Sequence, residues 1–160
     1  MKIVSGAQTG VDKAALDAAI KLGIPTGGWV PKGRYNERGQ ISDKYSVKET
    51  PSSGYRQRTR RNVCESDGTL ILVRGSLRGG SKLTRNVANE QGKPCLVVNL
   101  LHKCDPVEVV GWLVENDILT LNVAGSRESS SPGIGKVAER RLSQILINWL
   151  AVLNKPVPNI

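Results

Sequence analysis

Apolar residues at Val11, Ala14, Ala15, Ala18, Ala19 and Leu22 repeat at the spacing of one helix face. Gly23 and Pro25 then stop the pattern. A short apolar start, Lys2-Ile3-Val4, and a Gly turn precede it, so residues 2 to 23 read strand, turn, helix. A short strand is expected near Gly28 to Pro31, and a helix from about Gly54 to Glu65. Thr69 to Val73 and Cys95 to Leu101 are continuous apolar runs, the mark of strands buried on both faces. Between them lies a helix carrying Leu83, Val87 and Ala88, closed by Gly92 and Pro94. Asp105-Pro106-Val107-Glu108 supplies an N-cap, Pro at N1 and an acid at N3. Ile118 to Val123 reads as a strand, and Ser131-Pro132 opens a last helix with Ile134, Ala138, Leu142, Ile145 and Trp149 on one face.

This alternation predicts a single three-layer α/β domain, with a mostly parallel sheet of about five strands and helices on both faces. The domain is expected over residues 1–153, with a long polar loop at 32–53 and a flexible tail at 154–160.

Three loops after strands are rich in Gly and Ser: 5 to 10, 74 to 81 and 124 to 133. All lie along the carboxyl edge of a parallel sheet, where ligands bind at the reversal of strand order. With strand order 2-1-3-4-5, the first two flank the crevice and the third lies two strands away. Gly6, Gly10, Gly79 and Gly80 let backbone approach a ligand, and amides at the helix starts can hold an oxyanion. "GAQTG" and "GSLRGGSK" match neither a Walker A motif nor a full G-x-G-x-x-G. Asp12 closes a T-x-x-D string from Thr9, so it either forms a capping box or serves a ligand N–H or an arginine.

Charge sharpens the picture. The formal net charge is +9, and residues 32 to 61 hold nine Lys or Arg against Glu37, Asp43 and Glu49. An anionic partner is expected. In "GYRQRTRRNVCESD", Arg58 or Arg61 can reach the crevice as a phosphate clamp. Only Tyr55 interleaves these arginines, so nucleic acid is not the expected partner. Cys64, Cys95 and Cys104 lack CxxC spacing and His102 is the only histidine, so no structural metal is expected. Without a signal-peptide layout or a span-length apolar run, a soluble cytoplasmic protein is expected, with no membrane contact.

The strings "SGAQTGVDKAALDAA", "GIPTGGWVPKGR", "YSVKETPSSGYRQRTRRNV", "SDGTLIL" and "NVAGSRES..PGI" resemble the molybdenum cofactor carrier protein family over roughly residues 3 to 140. That family is similar to the lysine decarboxylase-like proteins, a Rossmann-type group that includes nucleoside-monophosphate phosphoribohydrolases. The resemblance implies a Rossmann-like carrier that binds the molybdenum cofactor (molybdopterin), a phosphorylated pterin dithiolene. It also implies a homo-oligomer, dimer or tetramer, and molybdoenzymes that receive the cofactor. On this reading Gly6, Gly10, Gly79, Gly80 and Ser81 cradle phosphate through their amides. Gln8, Thr9 and Thr84 add polar contacts, Arg58, Lys82 and Arg127 balance charge, and Asp12 caps or meets the ring.

The hydrolases carry an arginine eight positions before Ser-Asp, as Arg58 stands before Ser66-Asp67, and then P-G-G-x-G-T-x-x-E. Here Arg78-Gly79-Gly80-Ser81-Lys82-Leu83-Thr84 keeps the two glycines, but the catalytic glutamate is missing. Binding is therefore expected rather than catalysis, and no catalytic residue is assigned. A nucleotide-binding sensor or a phosphoribohydrolase-like enzyme, with Asp12 or Glu65 as substitute acid, is the alternative. Ala7 replaces a third Gly common in the carriers, and Arg78 and Lys82 stand where smaller or neutral residues are usual.

Overall fold

The computed structural model describes residues 1–153; the tail expected over 154–160 lies outside them. The chain opens with β1 (Lys2–Val4), and α1 (Val11–Lys21) follows the first Gly turn. The strand expected near 28 to 31 divides into two. β2 (Thr26–Gly27) joins the main sheet, while β3 (Trp29–Val30) turns away after Gly28. Within the long polar segment lie β4 (Tyr35–Asn36), β5 (Gly39–Gln40) and β6 (Lys48–Glu49). Then come α2 (Tyr55–Cys64), β7 (Gly68–Val73), α3 (Gly79–Glu90), β8 (Cys95–Asn99), α4 (Pro106–Glu115), β9 (Thr120–Gly125) and α5 (Ile134–Leu153). The last helix begins three residues after Ser131, and Asp105 caps α4 as expected, accepting from Val107 N–H at 2.9 Å.

The main sheet is parallel throughout, in the order β2-β1-β9-β7-β8. Counting only its five strands in chain order, this is 2-1-5-3-4, so the expected 2-1-3-4-5 is corrected. The last strand inserts between the first and the third. Counting instead from β9 as strand one gives 3-2-1-4-5, the order of a doubly wound dinucleotide-binding sheet. The fold is that arrangement with its chain order cyclically shifted. The reversal of direction, and with it the crevice, therefore falls between β9 and β7.

Leu70 and Leu72 on β7, with Leu121 and Val123 on β9, face a core shared with α1, α4 and α5. On the other face α2 and α3 pack together through Val63, Val87 and Ala88. The alternation of side chains along each strand creates these two cores. The expectation that Cys95 to Leu101 forms a strand buried on both faces is corrected: β8 is an edge strand with Val97 exposed, and Leu101 beyond it is also exposed. Cys95 is only partly buried, against the α2–α3 core.

The segment 32–53 has little regular structure, but it is pinned down. Ile41 and Tyr45 are buried with Ala7, Leu16 and Val30 in a separate cluster. Tyr45 Oη donates to Asp17 Oδ1 at 2.6 Å. The Arg34 guanidinium donates to the carbonyls of Val47, Ser42 and Tyr45 at 3.0 to 3.2 Å, closing the segment on itself.

Candidate functional site

The three Gly- and Ser-rich loops converge on one cavity of about 450 Å³ at the carboxyl edge, over the β9–β7 reversal. A cavity of this size suits a small molecule or cofactor. Arg58, Arg74, Arg78 and Arg127 line it, and Asp12 is the single carboxylate among its lining residues. Seryl groups at 76, 81, 126, 129, 130 and 131 complete a wall rich in donors.

Asp12 is buried at 4 % exposure. The capping box does not form. Helix α1 takes Gly10 as its N-cap without a side-chain cap, and Thr9 N–H donates to Gln8 Oε1 at 3.0 Å instead. Asp12 Oδ2 accepts from Gln8 N–H at 3.4 Å and from Arg58 Nη1 at 3.3 Å. Burial pushes the Asp12 carboxyl above its ordinary value, against the pull of the Arg58 charge. Of the two readings of Asp12, the geometry shows the partner of an arginine.

Arg58 comes from α2 and lies against Gly6, where a Cβ would sit 1.9 Å from Nη1. The bare Gly6 backbone is what gives the guanidinium its seat. Gly10 has φ +77°, and a Cβ there would meet Ser126 O at 2.4 Å, so this glycine lets the first and third loops touch. Two cations lie over the Tyr55 ring, Arg58 5.5 Å and Arg127 5.7 Å from its centre. Arg61 does not reach the cavity; it stacks over Trp29 at 4.2 Å and pairs with Glu65. Glu65 in turn accepts from Trp29 Nε1 at 2.7 Å, away from the cavity.

Gln8, Gly79, Gly80, Ser81, Thr84 and Arg127 line the cavity. A Cβ at Gly79 or Gly80 would meet nothing within 4 Å, so these glycines leave the start of α3 bare toward the site. Thr84 Oγ1 donates to Gly80 O at 2.8 Å. Lys82 is exposed and does not line the cavity. Gly6, Thr9 and Gly10 also fall outside the lining and act behind it.

Thr9 belongs to a latch that sequence reasoning missed. Glu37, from the long polar segment, accepts from Thr9 Oγ1, from Ser129 Oγ and, at 3.1 Å, from Ser129 N–H. Arg127 Nη1 stands 3.8 Å from Glu37 Oε2, and Thr9 Oγ1 accepts from Glu128 N–H at 3.1 Å. Burial raises the Glu37 pKa, but these hydrogen bonds and the Arg127 charge outweigh it and hold the carboxyl below its ordinary value. Arg74 and the serines of 126–131 were also missed. Arg74 opens "RGSLRGG", and "AGSRESSSPG" signals the serines, but the expected strand order put that third loop two strands from the crevice and took only Arg127 from it.

Among the described residues no cluster of His, Cys, Asp or Glu could hold a metal ion, and no cysteine lines the cavity. No helix among them is long and apolar enough to cross a membrane.

The model of the circularly permutated YpsA SLOG family matches residues 3–146. A crystal structure of a "putative molybdenum carrier protein" from Syntrophus aciditrophicus SB is 45 % identical. It superposes with a TM-score of 0.86 and covers 91 % of this chain and 94 % of its own. No curated protein matches.

Proposed function

This chain belongs to the circularly permutated YpsA SLOG family, and from that premise we propose that it is a carrier of the molybdenum cofactor. The observation that carries the proposal is the cavity at the strand reversal, with four guanidinium groups and one carboxylate that is already paired. Such a lining takes a ligand with several negative charges and many acceptor atoms. The bare amides at Gly79 and Gly80 and the hydroxyl of Ser81 donate to the phosphate of the pterin, aided by the helix dipole. Arg58, Arg74, Arg78 and Arg127 balance the remaining charge. Asp12 holds Arg58 in place and offers an acceptor to ring N–H groups.

The donor set fits a cargo whose metal keeps its own dithiolene ligands, because the cavity lining brings no thiolate and no imidazole. Molybdenum arrives and leaves with the pterin, and the protein binds the organic part and the charge. The name of the 45 % identical structural neighbour supports the same reading. A homo-oligomer that hands the cofactor to molybdoenzymes completes the proposal.

The test is co-elution. Protein and released cofactor are mixed without oxygen and passed over a sizing column, and the protein fraction is oxidised to the fluorescent pterin product. Wild type is expected to carry the fluorescence, and Arg58→Ala and Arg127→Ala to lose most of it. A pterin-free wild-type fraction sinks the proposal. Release of free base from nucleoside monophosphates, abolished in Asp12→Asn, would establish the hydrolase instead.

A further inference from the structure

The Glu37 carboxylate sits in a donor set of the kind that holds a free anion. Ser129 N–H donates to its Oε1 at 3.1 Å, the Ser129 and Thr9 hydroxyls donate to it as well, and Arg127 Nη1 stands 3.8 Å from its Oε2. A backbone amide, hydroxyls and a guanidinium suit a phosphate or another oxyanion equally well. Arg127 and Ser129 line the cavity, whereas Glu37 does not. The donors belong to the ligand site, and the chain's own acid occupies them. The other cavity cations are not held in this way. Arg58 is paired with the buried Asp12. Arg74 donates to the Pro132 carbonyl at 3.0 Å and Arg78 to Ser76 Oγ at 3.3 Å, so both keep their charge for a ligand.

Glu37 comes from a part of the fold that can move alone. β4 and β5 pair Tyr35 with Gln40 and Asn36 with Gly39, so Glu37 and Arg38 are the two-residue tip of a hairpin. Strands this short give a hairpin little stability of its own. The rest of the segment is fastened elsewhere, by the burial of Ile41 and Tyr45 and by the carbonyls gathered on Arg34. Asn36 and Arg38, on either side of Glu37, line a second cavity of about 630 Å³, so the tip has open space beside it. Besides the carboxylate, the tip is tied to the first loop by Glu37 N–H to Gln8 Oε1 at 3.0 Å and Asn36 Nδ2 to Ala7 O at 3.1 Å.

We infer that Glu37 is an internal competitor for the ligand: its carboxylate occupies a second anion subsite, formed by Arg127 and Ser129, and an oxyanion group of the ligand displaces it and lifts the hairpin tip. Resting on the carrier reading, this gives a carrier a means of release. The cargo meets Arg74 and Arg78 unopposed, but it gains Arg127 and Ser129 only by breaking the Glu37 contacts, which re-form as it leaves.

The probe is inorganic phosphate, titrated by calorimetry at fixed ionic strength. Wild type is expected to bind one equivalent at the Arg74 and Arg78 end and a second only weakly. Glu37→Gln is expected to bind the second at least tenfold more tightly, and Glu37→Gln combined with Arg127→Gln to lose that gain. A second measurement needs no variant and serves if Glu37→Gln does not fold. In wild type, phosphate that fills the second equivalent should speed amide exchange over residues 36 to 42, where ordinary binding slows it, and chloride at matched ionic strength should not. Several results overturn the inference: no phosphate binding, a single equivalent in both proteins, a gain that survives Arg127→Gln, or exchange at 36 to 42 that phosphate leaves unchanged or slows. Each leaves the carrier reading to the co-elution test, which does not depend on Glu37.

Discussion

Gly6 and Asp12 show how single residues set the site. The Arg58 guanidinium occupies the space a Cβ at position 6 would need, and it is the end of a flexible side chain, so it can swing aside. Gly6→Ala is expected to weaken cofactor binding about tenfold, or about 1.4 kcal/mol, while the thermal midpoint stays near that of wild type. Titration calorimetry paired with a thermal melt checks both parts. Asp12 gives a pH dependence of defined sign. Its folded pKa lies above the ordinary 3.8, so as pH falls the native state takes up this proton before the unfolded chain does. The stability of wild type relative to Asp12→Asn should therefore rise as pH drops from neutral toward 3.8. Urea unfolding across that range is the check, and a difference that shrinks toward acid would contradict the assignment. The role of Asp12 was only half legible in the sequence. T-x-x-D read first as a local cap and only second as a partner for a ligand or an arginine, and the choice depended on an α2 side chain 46 positions away.

At the scale of elements, the helices were read well because their signals are local. The apolar stripe of α1 up to Gly23, Asp105 with Pro106 at the start of α4, and the five apolar positions of α5 from Ile134 to Trp149 all appear where expected. The segment 32–53 was read as a polar connection because its anchors are sparse: Ile41, Tyr45 and the carbonyl-gathering Arg34. Nothing in its composition marks Glu37 as the residue that fastens it to the loops after β1 and β9. Glu37→Gln is expected to speed amide exchange over residues 36 to 42 and to cost about 1–3 kcal/mol, with exchange in β7 unaltered. Hydrogen exchange followed by mass spectrometry reads this directly, and unchanged rates at 36 to 42 would remove the latch. The Glu37 carboxyl is held below its ordinary value of 4.5. The stability it contributes is present above that value and is lost as pH falls through the lowered folded pKa.

For the whole molecule, the position of β9 decides where the site lies. Its sequence, TLNVAG, is less apolar than the CLVVN of β8, yet β9 is central and β8 is at the edge. Hydrophobicity alone therefore points to the wrong strand, and the third Gly-Ser loop was placed two strands from the crevice with it. What places β9 in the middle is pairing with both β1 and β7, a long-range fact that no local pattern carries. The cyclic shift is itself testable, because Trp149 Nε1 lies 2.8 Å from Met1 Sδ and the end of α5 is thus close to β1. A chain that starts at Asp117, with residues 154–160 joined to Met1 through a short Gly-Ser spacer, presents the strands in the unshifted order. It is expected to fold with a melting midpoint within about 4 °C of wild type, roughly 1 kcal/mol, and to keep its ligand affinity; an unfolded product would contradict the shift. The most direct test of the central claim is an anaerobic equilibrium titration of the protein with released molybdenum cofactor, run beside AMP on wild type and Arg58→Ala. The account predicts saturable cofactor binding by wild type, weakened at least tenfold in Arg58→Ala, with AMP bound far less tightly. Tight AMP binding with no cofactor binding would contradict it.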